Sequence, residues 1–420
     1  MKVLSYQTNN SWIESRQKQD AGSEQDKALD EIRRVLFDCF RCSNLVILTG
    51  LGTSLHVNLD TAATKTAGRR VAENGKRIAP TMWELWEKTR AANQTDFDKV
   101  QVITNFPKEG YGNIEALLSY CKMADAFLVD SKQKSIVSNF VSSSEAIIRD
   151  EVRFLSSRDE LNVHSELLRK IARRSNRKVR CKVFTTNYDL CIEHAANRGR
   201  YVIIDGFSHT SPQVFDSIYF TYDIVKREST PDTHDFIQNV FHLYKLHGSI
   251  DWTKNVYSNE IEKDAETEKP ILIYPRNAKY ELAFEQPYIE MMAALQASLR
   301  QPDTGLLVVG FGFNDNHIAE PILSAIHSNL SLSVVVCDPA LSPKDPIQDG
   351  QVPSSGTAGT AVTNRHLSKI RYLITQGDAR LSLINGTFEE LVMHLPDIAA
   401  QTDLEQHLER MRLLRIQENG

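Results

Sequence analysis

A chain of 420 residues with 41% hydrophobic and 25% charged side chains is an ordinary globular protein, large enough for one big α/β domain or two, and not a disordered one. The formal net charge of −5 gives no global pull toward nucleic acid or an anionic membrane, and the longest apolar run, around GLLVVGFGF, is far short of a membrane span. Six cysteines in this length point to reduced thiols and a cytoplasmic protein, and the opening MKVLSYQTNNSWIESRQKQD lacks the apolar core and cleavage site of a signal peptide.

Residues 1–24 are polar and are expected to stand outside the core, flexible or serving in assembly. From Asp26 to Phe40 helical periodicity places Ala28, Ile32, Leu36 and Phe40 on one face. Cys39 and Cys42 form a lone C-x-x-C with no second pair at zinc-ribbon spacing, so core packing is expected of them and no metal. NLVILTG (44–50) reads as a short buried strand. More than a hundred residues of little strand character follow. Within them GNIEALLSYCKMADAFL and SSSEAIIRDEVRFLSSRDELNVHSELLRKIARR read as helices, the second opened by a serine cap with Glu145 in its first turn. We therefore expect a helical insertion over about 61–178. Its basic end, Arg169 to Arg180, reads as a solvated helix terminus. Strands are then expected at CKVFTTN, YVIIDGF, VFHLYKLHG, ILIYP, GLLVVGFG, SVVVCDP and IRYLI, several as continuous apolar runs suited to parallel strands covered on both faces. Residues 341–362 are rich in Pro, Gly and Ser and read as a mobile loop. In the last segment, 399–420, Leu404, Leu408, Met411 and Leu414 form an apolar stripe on a charged helix, suited to packing on the core or to a subunit contact. The expected fold is α/β: a Rossmann-like, doubly wound parallel sheet over residues 25–398, interrupted by the helical insertion.

Four strand ends carry residues that a strand does not need. TGLGTS (49–54) combines two glycines with hydroxyls, compatible with an ordinary turn or with backbone amides approaching a phosphate. TTNYD (185–189) puts Asn187 and Asp189 where ligands bind in open α/β sheets. KLHGS (245–249) carries His247, either a packed core histidine or a general base working near its own pKa. GFGFNDNH (310–317) sets two glycines and a polar turn after the most hydrophobic strand.

In this order the four turns resemble the NAD-binding core of the sirtuin family, from about Asn44 to Leu395. NIEALLSY, TTNYDLCIE, KLHGSIDW and GFGFNDNHI look closest to its branch of bacterial antiphage-defence domains. The resemblance implies that Gly50, Gly52, Thr53 and Ser54 hold the pyrophosphate and nearby ribose. It places Thr186 in the cofactor pocket with Asn187 and Asp189 beside the nicotinamide and its ribose. It makes His247 the base, lines the adenosine side with Gly310, Gly312 and Asn314, and gives the adenine ribose to Asp338.

The departures are informative too. Deacylating sirtuins carry two zinc-binding cysteine pairs and a proline-phenylalanine-arginine continuation of the glycine turn; this chain has neither, and Leu51 stands where alanine is usual. Without a zinc module an acyl-lysine channel is not expected, and water becomes the acceptor. The resemblance thus implies an NAD⁺ glycohydrolase (NADase) that yields nicotinamide and ADP-ribose and depletes the cofactor in antiviral defence by abortive infection. NAD⁺ is then substrate, and no metal takes part. Expected partners are further copies of the chain and a HerA-type hexameric ring ATPase, with no membrane and no sequence-specific nucleic-acid contact. The competing classes are an NAD⁺ or ADP-ribose sensor, against which both Asn187 and His247 speak, and a nuclease subunit, against which the acidic charge speaks.

Overall fold

The computed structural model describes residues 1–9, 11–15, 26–60, 70–175, 178–227, 234–272, 286–341 and 364–398. Runs of two to six residues, the central ones apolar, assemble into one nine-stranded sheet: β1 (Lys2–Ser5), β2 (Ile13–Glu14), β3 (Asn44–Thr49), β4 (Lys182–Thr185), β5 (Val202–Ile204), β6 (Val240–Lys245), β7 (Thr304–Val309), β8 (Leu332–Cys337) and β9 (Leu381–Asn385), in the spatial order β2-β1-β9-β8-β7-β3-β4-β6-β5. All pairings from β9 to β5 are parallel; only β1 and β2 run antiparallel to their neighbours. This is the doubly wound, Rossmann-like α/β architecture expected of the sequence.

Helices cover both faces. Alternate residues of β3 go to opposite cores: Leu45 and Ile47 join α1 (Lys27–Arg41), while Val46 and Leu48 face α8 (Tyr288–Leu299) and α9 (Asn316–Ser328). The side chain of Asp26 caps α1 by accepting from the amides of Ala28 and Leu29, and the stripe Ala28, Ile32, Leu36, Phe40 is buried as expected. Cys39 and Cys42 are buried, unpaired thiols, and burial pushes the Cys42 thiol up to about 11. At the basic segment Arg174 is buried and donates to the carbonyls of Phe40, Cys42 and Ser43, closing the carboxyl end of α1. Arg169 and Arg173 pair with Asp397.

Between β3 and β4 the chain forms α2 (Met82–Ala92), α3 (Phe97–Ile103), α4 (Ile114–Phe127), α5 (Ser131–Val152) and α6 (Asn162–Ala172). A third core, separate from the two sheet cores, joins α2 to α5 through Leu85, Trp86, Phe97, Val100, Leu118, Phe140 and Ile148, and takes in Tyr188 and Ile250 from the sheet's carboxyl edge. The insertion is therefore a helical layer seated on that edge.

Several local expectations are corrected. The serine cap at 142–144 lies inside α5, whose N-cap is Asp130; Ser144 is buried and its hydroxyl returns to the carbonyl of Phe140 at 2.7 Å. IRYLI belongs to helix α10 (Arg365–Thr375), with Ile370 and Ile374 four apart on its buried side, and the next strand is instead LSLIN, β9. Residues 2–5 and 13–14, expected outside the core, extend the sheet beyond β9. ILIYP contributes Ile271–Leu272 to a two-residue ribbon with Gly248–Ser249, and its remainder lies outside the described residues, as do the 342–362 loop and the 399–420 stripe. No helix among the described residues is long and apolar enough to cross a membrane.

Candidate active site

The register brings four strand ends into one row: Val309 lies beside Thr49, Thr49 beside Thr185, and Thr185 beside Lys245. The turns leaving β7, β3, β4 and β6 thus open side by side at the carboxyl edge, where strand order reverses around β3; that switch point is the usual crevice of such sheets. Between it and the helical layer lies a cavity of about 290 Å³, at the lower end of the ~300–1,000 Å³ typical of small-molecule sites. Gly50, Thr186, Asn187, Asp189, His247, Gly310, Gly312 and Asn314 line it from the sheet side. Pro80, Met82, Leu85, Glu115, Val152 and Phe154 line it from the insertion.

The β3 turn packs tightly against the β7 turn. A Cβ at Gly52 would stand 2.6 Å from the Gly310 Cα, and one at Gly50 would stand 2.7 Å from its carbonyl oxygen; Gly310 itself has φ +63°. These glycines serve turn-to-turn contact. The amides of Gly50, Gly52, Thr53 and Ser54 donate to the carbonyls of Val309, Gly310, Gly50 and Leu51, so they are spent within the protein rather than open to a phosphate. Thr53 and Ser54 lie buried behind the cavity wall. The Thr53 hydroxyl donates to the Gly50 carbonyl at 2.8 Å and the Ser54 hydroxyl to Asp189 Oδ2 at 2.7 Å.

Asn187 is held by its amide nitrogen, which faces the Gly50 carbonyl (3.1 Å), the Ser54 hydroxyl (3.0 Å) and the Thr53 hydroxyl (3.3 Å). The amide oxygen is the end left to meet a ligand. Asp189 is buried and its second oxygen accepts from the Cys191 amide at 3.0 Å, so this carboxylate fastens the turn to α7 (Cys191–Arg198). Lys245, buried beneath, donates to the Asp189 carbonyl and to Glu193 Oε1 at 2.9 Å. Asp189 therefore touches the cavity but spends both oxygens internally.

His247 Nε2 lies 2.8 Å from Asp315 Oδ2. Burial alone would depress the imidazole; the hydrogen bond and charge of Asp315, joined by the Glu115 charge, outweigh it and raise His247. Asp315 shifts the other way: against the effect of its burial, His247 and His317 hold it below the ordinary carboxylate value. The two shifts agree on a coupled His247–Asp315 pair, an ion pair while the ring is protonated; once the ring is neutral, Nε2–H stays with Asp315 and Nδ1 is the nitrogen free to take a ligand's proton. Asp315 is also the N-cap of α9, accepting from the His317 amide at 3.0 Å. Asn364 Nδ2 donates to the carbonyls of Gly312 (3.1 Å) and Phe313 (2.7 Å), holding the β7 turn in which Phe313 has φ +55°.

Asn113, Glu115, Tyr188 and Asp315 are polar residues of the site that the sequence did not single out, although all four stand inside turns or helices that it did. Asp315 reads as an N-cap, which conceals that its second oxygen is free to hold His247. Asp338 ends β8 outside the cavity, one strand beyond β7; burial raises its carboxyl, and its Oδ1 accepts from the Ala340 amide. Among the described residues no lysine or arginine lines the cavity, while Glu115, Asp189 and Asp315 do. Such a cavity suits a cation or a set of hydroxyls and disfavours phosphate. No group of three or more His, Cys, Asp or Glu among the described residues stands at metal-binding geometry.

A search of curated proteins finds no match to the chain. Residues 182–344 match the SIR2-like domain, a span running from β4 past β8 and holding Asn187, Asp189, His247, Gly310, Asn314, Asp315 and Asp338. The β3 turn and the helical layer lie outside the matched span. The matched stretch, 163 of the chain's 420 residues, supplies the cavity's asparagine and histidine; its similarity to the SIR2-like domain points to a family of NAD-dependent enzymes.

Proposed function

We propose that this protein is an NAD⁺ glycohydrolase that seats the nicotinamide–ribose half of NAD⁺ in the cavity and gives the ribosyl group to water. The observation that carries the reading is the meeting of Asn187 and His247 at one anionic cavity, on adjacent strand ends of a SIR2-like domain. The oxidised nicotinamide ring is a cation and its ribose a diol, the two ligand types that a cavity of carboxylates and an amide oxygen accommodates. The phosphates then lie outside it, and the adenosine end extends past Gly312 and Asn314 toward Asp338.

In this reading the C–N glycosidic bond breaks with its electron pair going to nicotinamide, which leaves neutral. The oxocarbenium-like ribosyl group is met by the Asn187 oxygen, whose partial negative charge favours the transition state over the ground state. Water attacks the anomeric carbon and its proton passes to Nδ1 of the neutral His247 ring, which Asp315 orients through Nε2–H and which later releases that proton to solvent. The products are nicotinamide, ADP-ribose and one proton. General-base assistance is worth about 10²–10⁴ in rate. Asn187→Ala and His247→Ala should each lower nicotinamide release by at least about a hundredfold with unchanged circular dichroism. Turnover at the wild-type rate in either variant contradicts the assignment.

An NADase that depletes its cell's cofactor needs control. We assign that role to assembly, with further copies and with a HerA-type ring ATPase, in antiphage defence. This rests on the likeness of NIEALLSY and KLHGSIDW to that branch of sirtuin-like proteins, and co-purification with the product of the neighbouring gene tests it.

A further inference from the structure

Glu115 is supplied by the helical layer, in the first turn of α4, and not by the sheet. Its carboxylate lines the cavity beside Asn113, takes a hydrogen bond from the Tyr188 hydroxyl, and interacts electrostatically with both His247 and Asp315. Among the described residues no lysine or arginine lines the cavity to pair with it. A carboxylate enclosed in this way costs free energy that a leucine or glutamine would not, and such groups concentrate at functional sites. The α4 amino terminus favours an acid there, but an exposed position on the same turn would serve the helix equally well.

Tyr188 links this group to the rest of the site. It sits between Asn187 and Asp189, its ring belongs to the helical core, and its centroid lies 6.3 Å from that of His247. Its carbonyl accepts from the Ile250 amide at 3.2 Å, tying the β4 turn to the β6 turn. Holding the Tyr188 hydroxyl therefore holds both turns against the insertion.

We propose that Glu115 is the positioning residue through which the helical insertion completes the site: its carboxylate fixes Tyr188, and with it the Asn187 turn, while facing His247 across the cavity. The sheet alone then does not make a finished site, and a shift of the insertion would reset Asn187 and His247 together. This inference rests on the NAD⁺-cleavage reading of the cavity. The ionisable groups around His247 are Asp315 from the β7 turn, Glu115 from α4 and Tyr188 from the β4 turn, with His317 and Tyr288 acting on Asp315. Burial, with the Asp315 charge, raises the Glu115 carboxyl against the pull of His247 and Tyr188.

The test compares full-length wild type, Glu115→Gln, Glu115→Ala, Tyr188→Phe and the Glu115→Ala/Tyr188→Phe double variant. NAD⁺ is the substrate, kcat and KM are measured across pH, and the His247 imidazole is titrated by NMR after selective labelling. Glu115→Ala and Tyr188→Phe should each lower kcat on the order of tenfold with KM little changed, and the double variant should be no slower than the worse single one, because the two residues act as a unit. Glu115→Gln keeps an oxygen for Tyr188 but loses the charge. It should retain more activity than Glu115→Ala while His247 titrates at lower pH. Wild-type kcat in Glu115→Ala, a rise in KM alone, or strictly additive losses overturns the proposal. If wild type releases no nicotinamide, the cleavage reading fails, and the NMR titration still decides this one: an unmoved His247 in Glu115→Gln refutes it, and a downward shift supports it.

Discussion

At the scale of single residues the site depends on a histidine whose charge is set by its neighbours. The folded His247 titrates above its ordinary value of 6.5, so its contribution to stability is complete below that value and is lost as pH rises through the raised one. Asp315 titrates below its ordinary 3.8, so its contribution is present above that value and is lost as pH falls. The pair therefore stabilises the fold most between these limits. Asp315→Asn should cost about 2 kcal/mol near pH 5.5, as for a hydrogen bond between charged groups, and less at pH 8.5; urea denaturation at the two values measures this. The same substitution should move the acidic limb of the rate profile to lower pH, because His247 then loses its proton more easily. An unmoved limb would detach His247 from the proton transfer. Asn187 and His247 were legible because each is polar where a parallel strand ends. Asp189 was legible by the same logic, yet its oxygens go to Ser54 and the Cys191 amide. A sequence shows the side chain at the edge but not which partner reaches it first.

At the scale of elements, the β3 and β7 turns form a unit through Gly50, Gly52 and Gly310. Gly310→Ala should destabilise the protein by at least about 2 kcal/mol. A left-handed φ costs a Cβ residue about 1–2 kcal/mol, and the new Cβ would stand 2.7 Å from the Gly52 Cα, which has no room to yield. Wild-type denaturation midpoints in Gly310→Ala would show that the turns do not pack in this way. The glycines were visible in the sequence as turn formers, but their use was not: the same residues suit a phosphate or another backbone, and only the register between β3 and β7 decides. The long parallel strands were legible as unbroken apolar runs, such as NLVILT and TGLLVV. IRYLI was not, because five residues fit a strand and a helix equally and the cue, Asn364 capping α10, stands several residues upstream. Ser144 was misread for a related reason. Serine favours caps, but here it lies mid-helix with its hydroxyl satisfied by the preceding turn.

At the scale of the whole molecule, a doubly wound sheet carries a helical layer on its ligand-binding edge, and the cavity lies between the two. The insertion was recognisable in the sequence as a hundred residues without strands. That it forms one wall of the site was not, since Glu115, Met82 and Phe154 reach the cavity only through packing far along the chain. Control by assembly implies that the native protein is larger in solution than one 47.6 kDa chain; light scattering at micromolar concentration showing a monomer with full NAD⁺ cleavage contradicts it. The central claim, transfer of the ribosyl group to water at this cavity, is tested most directly by product analysis. The protein, purified alone and with its genomic neighbour, is incubated with NAD⁺ and an acetylated peptide, and the products are quantified by mass spectrometry. Hydrolysis at this cavity yields nicotinamide and ADP-ribose in equal amounts and leaves the peptide's acetyl group intact; O-acetyl-ADP-ribose, or no nicotinamide from either preparation, contradicts it.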